Sequence, residues 1–209
     1  MRVIGPFEIG GGLALGGVRA RGGHTVVHEA AWSQAPDLAL VAKVATSGHE
    51  LQLHHENRML RAIDHAHVIT PTAFVDDAEH VALLLPRAAC SLRAHEGRLD
   101  EPEVLHVATA IADALAAMHR FGLAHGDVTA GNILLLVDGT PLLADLGSAR
   151  RCAEDAARTD VACLARAAIA TLAPEHRGPV RALLYAVVVS PKPAAALADE
   201  LRACGVEPR

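Results

Sequence analysis

Apolar and polar residues recur along the first part of this chain in short runs that predict strands. Glycine or acidic turns separate these runs, and we assign no element to the glycine-rich residues 1–16. Strands are predicted at 17–21, 25–30, 38–44, 68–69, 72–75 and 80–85. One helix is predicted at 50–63, where Leu51, Met59, Leu60 and Ile63 would form a broad apolar face.

Apolar residues at helical spacing dominate the second part of the chain. The clearest helix runs from Asp100 to Arg120, with Asp100 as its cap and Pro102 in its first turn. Its predicted core positions are Val104, Val107, Ile111, Leu115 and Met118. Further helices are predicted at 160–172, 180–189 and 192–203, after a polar link at 148–159.

A hairpin is predicted directly after the clearest helix. The polar stretch His125–Asn132, HGDVTAGN, leads into an apolar run at 133–136. Asp138-Gly139 is typical of a two-residue hairpin turn, and a returning strand at 141–144 delivers Asp145 beside the polar stretch. The pattern therefore brings two carboxylates and an amide, those of Asp127, Asn132 and Asp145, to the mouth of one hairpin.

Composition places the chain among globular proteins, since 51% of its 209 residues are hydrophobic and 21% are charged. A net charge of −5 offers no basic stripe for nucleic acid. The longest apolar stretch, at 182–189, is too short to span a membrane. The four cysteines are scattered and the N-terminus has no signal pattern, so we expect a cytoplasmic protein with reduced thiols.

The side chains predicted at the hairpin mouth carry oxygen atoms suited to a magnesium ion. Mg²⁺ prefers oxygen ligands and works with one or two carboxylates together with substrate phosphates. Asn132 and Asp145 meet that demand, which leaves Asp127 to accept a proton. The alternative is a helix end and a hairpin that carry Asp and Asn because both residues favour turns.

Lysine is rare in this chain. Of the 19 basic residues only Lys43 and Lys192 are lysines. Lys43 lies in the apolar strand predicted at 38–44, where a compact ammonium rather than a planar guanidinium is retained. The alternative is a lysine at the edge of a sheet.

The stretch HGDVTAGN and the following Asp145-Leu-Gly147 resemble the catalytic loop and the metal-binding element of the protein-kinase-like superfamily. The resemblance covers residues 17–172 and is strongest over 101–147. It implies a two-lobed α+β fold: an N-lobe at 1–86, with a small antiparallel sheet and one helix, and a reduced, mainly helical C-lobe at 87–209. Within the family, the chain is similar to a compact bacterial serine/threonine-kinase-like protein with an abbreviated activation segment.

The resemblance also implies catalytic roles. Lys43 would hold the α- and β-phosphates of ATP, and Glu56 on the predicted helix would orient it, with Glu50 as the fallback partner. Asp145 would bridge Mg²⁺ to the phosphates, Asn132 would hold a second Mg²⁺, and Asp127 would accept the hydroxyl proton. His125 is expected to be a packing residue that shapes the loop.

The nucleotide lid resembles the family only in part. Aligned on Val27, the three glycines of the family fall on Ala20, Gly22 and Thr25, so only the middle one is present, with Gly23 beside it. Gly22 and Gly23 would cover the phosphates. The adenine ring would meet Val27 and Val41 above and Leu134 below, with Leu84 or Leu85 lining the pocket.

The implied activity is transfer of the γ-phosphoryl group of Mg-ATP to a hydroxyl, by an enzyme similar to protein serine/threonine kinases. Two alternatives stay open. Thr129 stands where serine/threonine kinases carry a lysine, which also resembles small-molecule kinases acting on aminoglycosides or choline. A nucleotide-binding pseudokinase is the other. Gly126 replaces the arginine that reads an activation-loop phosphate, so we expect no switching by loop phosphorylation.

Overall fold

The computed structural model describes residues 7–9, 12–77 and 80–205, and the chain divides into two compact units. The first unit consists of residues 1–62 and 69–87, and the second consists of residues 63–68 and 88–209. The short segment 63–68, which follows the helix of the first unit, therefore groups with the second.

The first unit is built on an antiparallel sheet with the order β1-β2-β3-β4-β6-β5. Its strands are β1 (Phe7–Ile9), β2 (Leu13–Arg21), β3 (Thr25–Trp32), β4 (Leu40–Ala45), β5 (Ala73–Asp76) and β6 (Val81–Pro86). The sheet confirms the strands predicted between 17 and 44 and between 72 and 85. The strand predicted at 68–69 is wrong, because Val68 makes only an isolated bridge to Leu143. In the acidic turn between the strands predicted at 72–75 and 80–85, Asp77 N–H donates to the His80 carbonyl at 3.0 Å, and residues 78 and 79 lie outside the described ranges.

The two faces of this sheet differ. One face holds an apolar cluster of Leu13, Leu15, Leu40, Ala42, Val44, Ala82 and Leu84. Side chains alternate along a strand, so Lys43 of β4 lies on the other face. Helix α1 (Glu50–Ala62) buries Leu53, Glu56 and Leu60.

The apolar face predicted for α1 is wrong at Leu51, whose side chain is 82% exposed. Residues two apart on a helix point in different directions, and the buried stripe runs through Leu53 and Leu60. Its central position is occupied by Glu56, a charged residue. A search for apolar periodicity could not recognise that position as buried.

The second unit contains short strands and most of the helices. The strands are β7 (Cys90–Ser91), β8 (Leu123–Ala124), β9 (Ile133–Leu135), β10 (Pro141–Leu143) and β11 (Arg150–Arg151). They form one sheet with the order β10-β9-β7 and a separate pair, β11-β8. The helices are α2 (Glu101–Arg120), α3 (Glu154–Thr171), α4 (Pro179–Val189) and α5 (Ala194–Cys204).

Helix α2 confirms its prediction closely. Asp100 accepts a hydrogen bond from Glu103 N–H at 2.9 Å, and the Glu103 carboxylate accepts one from Asp100 N–H at 2.9 Å. This capping box satisfies two backbone donors at the helix start. The five predicted core positions are all buried: Val104, Val107, Ile111, Leu115 and Met118.

Two predicted boundaries are wrong. Helix α3 begins at Glu154 rather than at Asp160, with two acidic residues in its first turn and a Glu154–Arg158 ion pair on its exposed side. The polar composition of this turn therefore marked an exposed helix start rather than a link.

The hairpin between β9 and β10 also differs from its prediction, because Gly139 N–H donates to the Leu136 carbonyl and Leu136 N–H donates to the Thr140 carbonyl. With Gly139 at φ 85°, this is a three-residue loop ending in a glycine bulge.

Across the described residues, the structure contains no helix with the length and apolar character needed to cross a bilayer. The four cysteines, Cys90, Cys152, Cys163 and Cys204, are free thiols.

Candidate active site

The first unit pairs Lys43 with Glu56. Lys43 Nζ lies 2.7 Å from Glu56 Oε2, and the Glu56 side chain is only 3% exposed. Strand β4 holds the lysine, and the buried stripe of α1 supplies the glutamate. Glu50, the fallback partner, instead accepts a hydrogen bond from Gly48 N–H at 3.1 Å where α1 begins.

The face of the sheet that carries Lys43 also carries two of the predicted adenine contacts. Val27 of β3 is directly opposite Lys43, and Val41 lies two residues before Lys43 on β4. Residues opposite each other in an antiparallel pair share a face, as do residues two apart on one strand. Leu85 is opposite Val41 and joins this face, whereas Leu84 belongs to the apolar cluster on the other face.

The turn that carries Gly22 and Gly23 does not need glycine for its own geometry. Gly22 N–H donates to the Thr25 carbonyl at 2.9 Å, and neither glycine has a positive φ. A Cβ atom at Gly23 would meet nothing within 4 Å, and one at Gly22 would make ordinary contacts with Thr25 at 3.5 Å. The two residues leave an open surface of backbone.

In the second unit, the stretch between β8 and β9 is closed by a hydrogen-bonded pair. The Asn132 side-chain amide donates through Nδ2 to Asp127 Oδ2 and to the Asp127 carbonyl, both at 2.9 Å. Because both bonds use the nitrogen, Asn132 Oδ1 is left as an acceptor. Asp127 itself is exposed, so its carboxylate is accessible.

Asp145 adjoins this pair through the backbone. Ala144 N–H donates to the Asn132 carbonyl at 2.9 Å, which sets the residue before Asp145 against Asn132. Asp145 has φ 64° and ψ 69° and is the one non-glycine residue with a positive φ in the described ranges. Such a left-handed conformation costs about 1 kcal/mol or more for an L-residue and is often found at functional sites.

A buried carboxylate on α3 supports the loop from beneath. Asp160 is 2% exposed, and it accepts hydrogen bonds from His125 N–H at 2.8 Å and from Gly126 N–H at 2.9 Å. His119 Nε2 lies 3.0 Å from the same carboxylate. Burial by itself raises the pKa of Asp160, but the hydrogen bonds from His119, Gly126 and His125 outweigh it and leave the pKa below its ordinary value. The sequence analysis did not identify this contact between His119 and Asp160.

His125 is fully buried inside the loop. Its Nδ1 accepts a hydrogen bond from Asp127 N–H at 3.2 Å, so the proton lies on Nε2, which donates to the Ala144 carbonyl at 3.1 Å. Burial lowers the pKa of His125, against smaller opposing effects of the Ala144 carbonyl and nearby carboxylates. The neutral ring thus links the residue before Asp145 to Asp127.

Sequence reasoning also missed two arginines that lie against this loop. A Cβ atom on Gly126 would collide with the Arg150 guanidinium, and one on Gly131 would lie 2.9 Å from Arg93 Nη2. The two glycines within HGDVTAGN were the available signal, because a glycine in a polar loop often marks a close approach by another group.

The donor set fits a magnesium ion that is shared with a nucleotide. Asn132 Oδ1 and the Asp145 carboxylate are hard oxygen ligands, and they sit on neighbouring backbone positions. No cluster of three or more His, Cys, Asp or Glu side chains suited to a metal occurs in the part of the chain that the structure describes. An ion held by Asn132 and Asp145 would therefore take its remaining ligands from phosphates and water.

Comparison with known families agrees with this geometry. The family model for the protein kinase domain matches residues 25–175. The chain belongs to the protein kinase domain family. The matched range includes Lys43, Glu56, the loop from His125 to Asn132, and Asp145. The candidate site residues of both compact units therefore lie within the kinase domain.

Several curated proteins are similar to this kinase domain. Serine/threonine-protein kinase PknK of Mycobacterium tuberculosis is 34% identical over 141 residues, which is 62% of this chain and 12% of that protein. A serine/threonine-protein kinase of Saccharomyces cerevisiae is 30% identical over 127 residues, covering 59% of this chain and 8% of its own length. The serine/threonine-protein kinase US3 homolog of bovine herpesvirus is 32% identical over 114 residues, covering 53% and 24%. The matched segment thus spans a quarter or less of each relative.

Proposed function

We propose that this chain transfers the γ-phosphoryl group of ATP to the hydroxyl of a protein serine or threonine. The observation that carries the proposal is the exposed Asp127 carboxylate, held by Asn132 Nδ2 at 2.9 Å beside Asp145. A carboxylate in this position can accept a proton, and its neighbours supply oxygen ligands for a phosphate-bound cation.

The proposed reaction forms a bond between the acceptor oxygen and the γ-phosphorus. The bond from the γ-phosphorus to the bridging oxygen breaks, and ADP leaves with the electron pair. Asp127 accepts the hydroxyl proton through its carboxylate, and Asn132 holds that carboxylate in place. Asn132 Oδ1 and Asp145 would hold Mg²⁺, which when bound neutralises charge on the phosphates. The transition state is loose, so positioning of this kind accounts for much of the catalysis.

The remaining roles concern the nucleotide. In the first unit, Lys43 would bind the α- and β-phosphates, and its ion pair with Glu56 at 2.7 Å would fix the ammonium. Gly22 and Gly23 would lie over the phosphates, which fits two glycines that their own turn does not require. Val27 and Val41 are the proposed adenine contacts of the first unit, and Leu134 of β9 is that of the second.

The protein acceptor is supported by the similar proteins, which are named as serine/threonine-protein kinases. A small-molecule acceptor is the second candidate, because the loop carries Thr129 at the position where serine/threonine kinases use a lysine. A nucleotide-binding module without turnover would require that Asp127 has no catalytic role.

The short segment between Asp145 and α3 is relevant to regulation by phosphorylation. Only residues 149–153 separate the short 3-10 helix Leu146–Ser148 from α3 at Glu154. A segment of this length gives little room for a phosphorylated loop, and Gly126 carries no side chain that would read one. We therefore propose that the enzyme does not depend on phosphorylation of this segment.

A screen of acceptors tests the proposal. The protein is incubated with γ-labelled ATP and Mg²⁺, either with generic serine- and threonine-rich proteins or with a panel of aminoglycosides and amino alcohols. We expect label on the proteins and little on the small molecules. One strong small-molecule acceptor would overturn the protein acceptor, and nucleotide binding without transfer to any acceptor would favour the binding module.

A further inference from the structure

Two arginine side chains flank the proposed catalytic loop, one at each of its two glycines. The Arg150 guanidinium occupies the space where a side chain on Gly126 would lie. The Arg93 guanidinium lies against Gly131, with Nη2, Cζ and Nε at 2.9, 3.3 and 3.5 Å from an ideal Cβ position. Gly126 and Gly131 immediately precede Asp127 and Asn132, so each guanidinium adjoins the residue before a proposed site residue.

The fold fixes the backbone of both arginines. Arg150 belongs to β11 and is directly opposite Ala124 of β8, the residue before His125. Arg93 lies in a short 3-10 helix, Leu92–His95, and its N–H donates to the Ala130 carbonyl at 2.9 Å. Each arginine is therefore attached to the loop by main-chain hydrogen bonds, which limits how far its side chain can move from the loop.

The glycine at 126 could not carry a cation itself. Its φ is 82°, and a Cβ there would also lie 2.7 Å from the Ser148 carbonyl oxygen. Thr129 carries no charge either, so the loop has no permanent cation of its own. Arg93 and Arg150 supply the positive charge from outside it.

Both arginines are exposed residues, and neither has an ion pair or a side-chain hydrogen bond among the described residues. Three other arginines of this unit have partners: Arg158 with Glu154, Arg181 with the Ala173 carbonyl and Arg202 with Asp113. Arg93 and Arg150 differ from the other arginines without partners because they lie against the loop that carries Asp127, in a chain with a net charge of −5.

We propose that Arg93 and Arg150 bind anionic groups of the acceptor, so that the phosphorylated serine or threonine lies in an acidic segment. The proposal rests on the proposed function and names its substrate class. A guanidinium presents paired N–H donors that match the two oxygens of a carboxylate or a phosphate. The two arginines are then specificity residues for the acceptor, whereas Lys43 acts on the nucleotide.

Four synthetic peptides with one central serine test this proposal. The flanking residues are Glu, phosphoserine, Gln or Lys, and the variants are Arg93→Gln, Arg150→Gln and both together. The matched control is Arg166→Gln, because Arg166 is an exposed arginine on α3 with no ion pair or side-chain hydrogen bond among the described residues. The measurements are kcat/KM for each peptide, KM for ATP, and direct binding of fluorescein-labelled peptides by anisotropy.

We expect the wild type to prefer the Glu or phosphoserine peptide to the Gln peptide by about tenfold, the ratio that one charge-assisted hydrogen bond supplies. Each single variant should reduce this preference severalfold, the double variant should abolish it, and Arg166→Gln should preserve it. KM for ATP should stay within about twofold of the wild type, since the proposal assigns neither arginine to the nucleotide. Comparison of the Glu and phosphoserine peptides distinguishes a carboxylate from a phosphate as the ligand.

Equal binding of all four peptides by the wild type would overturn the proposal, as would an equal loss of preference in Arg166→Gln. A large rise in KM for ATP in the two variants would assign the arginines to the nucleotide instead. The anisotropy separates this proposal from the proposed function: selective binding of acidic peptides without transfer would contradict the activity and leave the anionic site standing.

Discussion

His125 lies at the centre of the loop, and both of its ring nitrogens have partners in the neutral state. A proton on Nδ1 would displace the hydrogen bond from Asp127 N–H, and full burial of the ring makes a positive charge there costly. The residue therefore couples protonation to the geometry of Asp127.

The first prediction concerns pH and stability. The folded pKa of His125 lies below its unfolded value of about 6.5, so the unfolded state binds more protons as pH falls below that value. The free energy of unfolding should be highest above pH 6.5 and should fall by up to about 1.4 kcal/mol per pH unit below it. Urea denaturation of the wild type and of His125→Gln at several values from pH 7.5 to pH 5 measures this, and the variant should show the shallower slope.

His65→Gln is the control for this measurement, because burial and the neighbouring His67 also lower the pKa of His65. His65 is only partly buried, so its removal should change the slope less. Asp160 also has a lowered pKa, but its contribution is lost near pH 4 and below, outside this window. Identical slopes for the wild type and His125→Gln would show that the ring is not held neutral.

The second prediction compares two glycines with the same backbone conformation. Gly126 has φ 82° and Gly139 has φ 85°, but a Cβ on Gly139 would meet nothing within 4 Å. Gly139→Ala should cost about 1 to 2 kcal/mol of unfolding free energy, from the left-handed conformation alone. Gly126→Ala should cost about 1 to 3 kcal/mol more, since it must also displace Arg150 and the Ser148 carbonyl. Equal costs in urea denaturation would mean that Arg150 does not occupy this space.

At the level of single residues, a site residue could be predicted from the sequence when its residue type was unusual for its surroundings. Lys43 stood out because lysine is rare here and its strand is apolar, and Glu56 followed from the resemblance of the helix around it. Arg93 and Arg150 did not stand out, since arginine is the common basic residue of this chain. Their position depends on strand pairing and on a 3-10 turn, which side-chain periodicity does not encode.

Among the elements, α3 has a direct effect on the loop through Asp160. The helix places one carboxylate under two backbone N–H groups, those of His125 and Gly126. Removal of the carboxylate would take away the acceptor of both N–H groups. A buried donor without an acceptor lowers the free energy of unfolding.

The third prediction follows from this support. Asp160→Asn should lower the unfolding free energy by about 2 to 4 kcal/mol, because a neutral amide offers one acceptor where the carboxylate offers two charged oxygens. Asp155→Asn, an exposed residue in the first turn of the same helix, should cost less than about 1 kcal/mol. Both variants are compared by thermal and urea denaturation. A similar small cost for the two would contradict the role of Asp160 as the support of the loop.

Helices and strands could be predicted where the capping and periodicity signals in the sequence agree with the burial of the residues in the structure. Helix α2 has a capping box at its start and buried apolar residues along its length, so its limits were found. The start of α3 is polar and exposed, and the turn at Asp138-Gly139 gained a residue because Asp138 keeps a negative φ. In α1, a buried Glu56 replaced the apolar residue that a periodicity search expects.

For the molecule as a whole, each compact unit contributes one part of the proposed chemistry. The first holds the Lys43–Glu56 ion pair on a sheet, and the second holds Asp127, Asn132 and Asp145 around a hairpin. The general α+β organisation followed from the resemblance of HGDVTAGN and Asp145-Leu-Gly147 to the protein-kinase-like superfamily. The grouping of residues 63–68 with the second unit did not, because it depends on contacts with β10 that are distant in sequence.

The role of Asp127 as proton acceptor is tested most directly by single-turnover transfer from γ-labelled ATP to an accepted protein or peptide, with ATP affinity measured in parallel. Asp127→Asn should lower the transfer rate by about 10² to 10⁴-fold, the usual contribution of a general base, while the Kd for ATP changes by less than about threefold. Asp138→Asn in the hairpin loop is the control and should keep the wild-type rate. Transfer by Asp127→Asn at the rate of Asp138→Asn, or equal loss of transfer and ATP binding, would contradict the account.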